Sequence, residues 1–205
     1  MTATKAQRLR VAVADDERDM RQFLQEVLTH LGDQVVAVAE TGRQLVEQCR
    51  TAKPDLVIAD IKMPDMDGIE AAEAVNRERP VPVIIVSAHT DANLLHRASA
   101  GGAMTYLVKP VKPSDLEAAI TMAMARYRQL SKAHDEAAQL RQALEDRKVI
   151  ERAKGIVSRR LHVDEAEAYH KLQKLASVHN RKLADVAQQV LSADKVCQEL
   201  ETPGM

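Results

Sequence analysis

The sequence predicts an α/β protein, a five-stranded parallel sheet flanked by helices on both faces, followed by a long helix and a small all-α module. Three observations carry that prediction. Five short apolar runs, each followed by a helical pattern, fill the first half of the chain, and alternation of that kind builds parallel sheets. The third run, Leu56 to Ala59, shows no polar alternation, as expected of a strand covered on both faces. Behind these runs only helical spacing remains, and from Leu116 to Leu161 there is no proline and Gly155 is the single glycine.

In order, Leu9 to Ala14 reads as the first strand and Asp15-Asp16-Glu17 as an acidic turn in which Asp16 has the chemistry to cap the next helix. Met20, Phe23, Leu24, Val27, Leu28 and Leu31 then recur at helical spacing up to Gly32. Gln34 to Ala39 gives a second strand, and Gly42 to Arg50 a second helix with Leu45, Val46 and Cys49 inward. Asp55 to Ala59 is the third strand, with Asp60 at its carboxyl end. Pro64 and Asp67-Gly68 punctuate the loop that follows, Gly68 being a residue able to adopt positive φ, before Ile69 to Val75 resumes a helix. Val81 to Ser87 and Met104 to Val108 are the last two strands, again with helices after each.

A chain of 205 residues with this composition suits two small soluble domains. It has no apolar run as long as a membrane span and no secretory signal at its start, so a cytoplasmic protein without a membrane partner is expected. Cys49 and Cys197 stand far apart, outside any metal-binding or redox spacing, and are expected to be reduced thiols without a role. The net charge of −1 hides an asymmetry: residues 1–120 carry 14 Lys/Arg against 18 Asp/Glu, whereas residues 147–182 carry 10 against 4. With no tryptophan, one phenylalanine and three tyrosines, a nucleic-acid surface of stacked aromatics is not expected.

The polar residues at the strand ends carry the chemistry. Parallel strands share one carboxyl edge, so Asp15 and Asp16, Asp60, Ser87 and Lys109-Pro110 should meet around one small pocket. Carboxylates at such close quarters repel, and a hard divalent cation such as Mg2+ offsets them. Lys109 adds a compact positive charge opposite. Such a pocket favours transfer of a phosphoryl group onto Asp60. A hydrolase using an aspartyl phosphate would need a second acid/base carboxylate two residues on; here that position is Lys62, which argues against an enzyme acting on a separate substrate.

From Leu9 to about Tyr127 the motifs VAVADDE, LVIADIKMPDMDG, VIIVSAH and AMTYLVKP resemble the receiver domain of two-component response regulators. The resemblance implies a flavodoxin-like fold with strand order 2-1-3-4-5 and a sensor histidine kinase as partner. It makes Asp60 the phosphoacceptor, Asp15 and Asp16 the acidic pair, and Asp15, Asp16, Asp60 and the backbone carbonyl of Lys62 the surroundings of Mg2+. Ser87 takes the place of the switch hydroxyl, as serine where threonine is commoner, Tyr106 that of the switch aromatic, and Lys109 that of the phosphate-binding lysine before an often cis proline.

Beyond the receiver, residues 128–143 read as a helical connector and 144–205 as the all-α module. Ala123, Leu130, Ala137 and Leu144 repeat at sevens, a seam suited either to a homodimeric coiled coil or to packing along its own molecule. Three helices are expected, Leu144–Leu161, Asp164–Val178 with Asp164 as cap, and Lys182–Leu191. Val149, Ile150, Ile156, Leu172, Leu175, Leu183, Val186 and Val190 are the expected core, with Ala153, Gly155, Ala168, Ala176 and Ala187 at close crossings. Through LEDRKVIERAKGIV, EAEAYHKLQKLA and NRKLADVAQQVL this module resembles the ANTAR domain, the RNA-binding module of transcription antitermination regulators. The resemblance implies RNA hairpins as partner and Arg152, Lys154, Gly155, Tyr169, Lys171, Arg181 and Lys182 as the contacting surface. Receiver-linked DNA binding, or a purely protein-interacting output, are the competing functions.

Overall fold

The computed structural model describes residues 8–88 and 103–201. Its elements are β1 (Arg10–Ala14), α1 (Arg18–His30), β2 (Gln34–Ala39), α2 (Gly42–Ala52), β3 (Leu56–Asp60), α3 (Gly68–Glu78), β4 (Val83–Ser87), β5 (Ala103–Val108), α4 (Pro113–Leu161), α5 (Glu165–Val178) and α6 (Leu183–Glu201). The helix expected after β4 lies outside the described residues. The chain divides into two compact units, Met1–Ser131 and Lys132–Met205.

In the first unit all strand pairs are parallel and the order is β2-β1-β3-β4-β5, the flavodoxin-like order expected. β3 and β4 are buried along their whole length, which accounts for their unbroken apolar runs. One face of the sheet packs Ala12, Ala14, Val57, Ala59, Val83 and Ile85 against Leu45, Val46, Cys49, Ile69 and Val75 of α2 and α3. Burial pushes the Cys49 thiol up to about 12, so it stays protonated. The other face packs Val11, Val13, Leu56, Ile58, Ile84 and Val86 against Leu24 and Leu28 of α1 and Leu116, Ala119, Ile120 and Ala123 of α4. Ala123 is therefore core, and the exposed heptad seam begins only at Leu130.

Gly68 has a different reason from the one its sequence context suggested. The positive φ in that loop belongs to Asp65 (φ 67°), while a Cβ on Gly68 would lie 1.9 Å from the backbone oxygen of Asp60. Only glycine lets α3 start this close to the end of β3. Asp67 caps that start, accepting from the N–H groups of Ile69 (2.9 Å) and Glu70 (2.8 Å), while Glu70 reaches back to the N–H of Asp67.

α4 is a single helix of 49 residues, so the connector and the first helix of the all-α module are one element. The sequence between Ser114 and Leu161 contains nothing that stops a helix, and none stops. In the second unit Ala153, Leu172, Ala176, Val186 and Ala187 form the centre, with Val149, Ile150, Val157, Leu183 and Val190 packed against them. Asp164 caps α5 by accepting from the N–H of Glu167 (2.7 Å), and His162 and Asn180, both at positive φ, turn the chain between helices. Three expectations fail here. Leu175 is 45% exposed rather than core, and among the described residues a Cβ on Gly155 would meet only Arg159 Nη1, at 3.9 Å, which is not a close helix crossing. α6 also runs on to Glu201, past the expected end at Leu191.

Candidate functional site

At the carboxyl edge of the sheet, the predicted site residues come together. Asp60 is the last residue of β3 and 5% exposed, held by its neighbours: the N–H of Lys62 donates to Asp60 Oδ2 (3.1 Å), and that of Ile61 to Val86 O (3.1 Å). Asp15 follows β1 and is fully buried; its Oδ1 accepts from the N–H of Glu17 (2.9 Å). Asp16 is exposed and does not cap α1, whose cap position, Glu17, makes no side-chain capping bond. Ser87 ends β4 at 2% exposure, and its backbone oxygen accepts from the N–H of Lys109 (2.8 Å), which ties the end of β5 to this edge. The Lys109–Pro110 peptide is cis. Tyr106 is half-buried on β5 against the cluster beneath α2 and α3.

Lys109 is the only cation placed among these acids in the described residues: its Nζ lies 2.9 Å from Asp15 Oδ2, 3.3 Å from Glu17 Oε1 and 3.4 Å from Asp60 Oδ1. Burial pushes the Asp60 carboxyl up to about 6, the Lys109 charge opposes this and the Asp15 charge adds to it. Asp15 is also pushed up, chiefly by burial, against Lys109 and the Glu17 N–H. Burial alone would lower Lys109, but Asp15 and then Asp60 outweigh it and hold the ammonium above its usual range.

The cluster fits a hard cation. Carboxylate oxygens of Asp15, Asp16 and Asp60 lie within 4.8 Å of one another. Asp15 Oδ2 is buried, and among the described residues the Lys109 ammonium, 2.9 Å away, is the group that faces it. An all-oxygen donor set in which three clustered carboxylates face a single lysine is what Mg2+ satisfies.

The second unit scatters its basic residues. Lys154 is only 15% exposed on its side chain and sits between Glu151 Oε2 (2.9 Å) and Glu165 Oε2 (3.3 Å), joining α4 to α5. Lys171 pairs with Glu167 (3.1 Å), and Arg181 donates to Gln189 (2.6 Å). Arg152 and Lys182 are exposed, Gly155 is half-buried, and Tyr169 is 36% exposed beside a groove lined by Arg147, Ile150 and Lys154.

Residues 11–121 match the model of the response regulator receiver domain. The chain belongs to the response regulators. Residues 138–191 of this response regulator match the ANTAR domain, and over 182 residues it is 40% identical to the transcriptional regulatory protein PdtaR of Mycobacterium tuberculosis, covering 89% of each chain. The chemotaxis protein CheY of Thermotoga maritima is 37% identical over 106 residues, 51% of this chain and 88% of that protein. Among solved structures, the signal receiver domain of NarL from Mycobacterium tuberculosis superposes with a TM-score of 0.54 at 30% identity, covering 58% of this chain and 98% of that one. The receiver domain of a modulated diguanylate cyclase from Desulfovibrio desulfuricans gives 0.56 at 27%, covering 60% and 98%.

Two residues beside this response regulator's site are given no site role by the sequence. Glu17 is a third carboxylate on Lys109, and Arg21 is a buried guanidinium beneath the acidic turn. Arg21 falls three and seven residues before the buried Leu24 and Leu28, on the inward face of α1, but the spacing alone does not say that an arginine is buried there.

Proposed function

We propose that Asp60 accepts a phosphoryl group from a phosphohistidine of a sensor histidine kinase, and that this modification controls an RNA-binding output that acts in transcription antitermination. The observation that carries the first half is the buried Asp60 carboxylate with Lys109 Nζ 3.4 Å away and two further acids beside it. Asp60 Oδ attacks phosphorus, the phosphorus–nitrogen bond to the imidazole breaks, and the electron pair leaves on the ring nitrogen. Lys109 offsets the charge on the transferred oxygens. Asp15, Asp16, Asp60 and the backbone carbonyl of Lys62 would hold Mg2+, which supplies the remaining charge neutralisation. Ser87 and Tyr106 then rearrange as the switch. The chain turns over no separate substrate; water releases the phosphoryl group slowly.

The ANTAR match supports RNA hairpins as the target, with Arg152, Gly155, Tyr169, Lys171, Arg181 and Lys182 as contacts. Lys154 is drawn into its ion pairs, so it acts from the edge of that surface. Leu130, Leu140 and Leu144 are each at least half exposed on α4, which supports pairing with a second copy of the chain through that seam. No helix of the described residues is long and apolar enough to cross a membrane, and the cytoplasm is where a kinase-fed RNA regulator would work.

The test is phosphorylation by acetyl phosphate with Mg2+, read by intact mass, followed by binding to hairpin RNA and duplex DNA at several salt concentrations. One added phosphate on the wild type, none on Asp60→Asn, and a salt-dependent preference for RNA are expected. Equal modification of both proteins, or preference for DNA, would sink the reading.

A further inference from the structure

We propose that Arg21 is a positioning residue for the metal and phosphoryl site, acting through the backbone of the acidic turn. This rests on the reading that Asp15, Asp16 and Asp60 hold Mg2+. Arg21 is 8% exposed, and its Nη1 donates to the backbone oxygens of both Asp15 (2.8 Å) and Asp16 (3.0 Å). Its Nη2 donates to Glu40 Oε1 (2.5 Å), just after β2. Glu40 is itself held, its N–H donating to Gln44 Oε1 (3.0 Å) in α2.

One planar fork thus joins the first helix, the end of β2 and both peptide groups that carry the acidic pair. With two successive carbonyls bound to one nitrogen, neither peptide plane is free to rotate, and the Cα–Cβ directions of Asp15 and Asp16 are set. The Glu17 N–H on Asp15 Oδ1 then fixes that carboxylate's rotation. Asp15 Oδ2 then faces the Lys109 ammonium, 2.9 Å away, in a direction set by the backbone that Arg21 holds. A buried guanidinium is costly unless it is hydrogen-bonded and paired, and Glu40 pairs with this one on the side away from the metal site. Outer partners of this kind orient the groups that touch the metal without touching it themselves.

The prediction separates aim from stability. Calorimetric titration of Mg2+ into the full chain would compare wild type with Arg21→Met, Arg21→Lys and Glu40→Gln, with circular dichroism to establish that each is folded at the titration temperature. Arg21→Met should weaken Mg2+ binding by roughly ten- to a hundredfold, the range for lost outer-sphere partners. Arg21→Lys keeps the charge but not the fork, and should lose about tenfold. Glu40→Gln retains an acceptor oxygen and should stay within about threefold. A folded Arg21→Lys or Arg21→Met that binds Mg2+ like the wild type overturns the proposal. So does failure of both Arg21 variants to fold, which would give Arg21 a purely stabilising role. A wild type that binds Mg2+ but takes no phosphoryl group would break the phosphoacceptor reading and leave the comparison among variants standing.

Discussion

Lys109 and Lys154 are both nearly buried lysines, 12% and 15% exposed on their side chains, and each is wedged between carboxylates from different elements. Both ammonium groups are held above their usual range. Their partners differ. The acids around Lys109 include Asp15 and Asp60, at 0% and 7% exposure, whereas Glu151 and Glu165 around Lys154 stand 55% and 74% exposed. A carboxylate in water has little need of a lysine, while one sealed under a sheet edge has no alternative short of a proton or a metal. The receiver therefore concentrates its charges into one interdependent cluster, and the helical unit spreads its charges into local pairs. The same contact geometry meets buried acids in one place and exposed ones in the other.

The sharpest way to break that comparison is to delete Lys109. Lys109→Met should cost about 3–5 kcal/mol in urea unfolding with a chelator present, the range for leaving one side of a buried charge pair alone, and Mg2+ should restore part of it. A loss as slight as that expected for Lys154 would reduce Lys109 to ordinary surface.

Glycine offers the next test. Gly68→Ala forces a Cβ toward the Asp60 backbone oxygen and should destabilise by about 3 kcal/mol through strain that no side-chain movement relieves. Equilibrium unfolding near wild-type stability would mean the β3–α3 turn is looser than its packing implies.

Protons probe the cluster directly. Asp60 has a folded-state value of about 6 against an ordinary 3.8, so the folded chain binds that proton more tightly than the unfolded one. Its contribution to stability is fully present below about 3.8 and is lost as pH rises through about 6. In chelator at pH 7.5, Asp60→Asn should then be more stable than wild type by at most about 3 kcal/mol, the advantage shrinking toward pH 5. Asp15 shifts the same way, so the wild-type curve should fall over a broad range. Thermal unfolding of the pair at several pH values measures it, and a constant difference would contradict the burial argument.

In the helical unit the same glycine substitution changes sign. Gly155→Ala meets only the end of the Arg159 side chain, at an ordinary contact distance, inside a long helix and should stabilise by about 1 kcal/mol. If hairpin binding falls while stability rises, the bare backbone at Gly155 belongs to the RNA surface. Smallest of all, Lys154→Ala should move the unfolding midpoint too little to separate from wild type, with the salt slope of RNA binding nearly unchanged.

Much of the first unit was legible because topology does the assembly. Once five apolar runs are known to be parallel, their carboxyl ends must adjoin, so Asp15, Asp60, Ser87 and Lys109 could be grouped without coordinates. Arg21 was hidden by its own chemistry, since arginine is normally surface and only its partners, two carbonyls and Glu40, make burial tolerable. Gly68 was read for its torsion angles when the constraint was an atom of another segment. In the helical unit, periodicity named the inward face but not its width. Leu175 lies at the margin of α5's buried stripe of Ala168, Leu172 and Ala176, and faces outward. The partner of Lys154 across the turn, Glu165, is likewise set by how two helices meet.

The depth of Cys49 has a practical consequence. Its thiol is buried and protonated at neutral pH, whereas Cys197, on α6, is partly exposed. A maleimide dye should therefore attach once per chain, on the output unit, without mutagenesis. In a protein lacking tryptophan, that single label gives a clean optical reporter, on the native sequence, of what acetyl phosphate or RNA does to the helices.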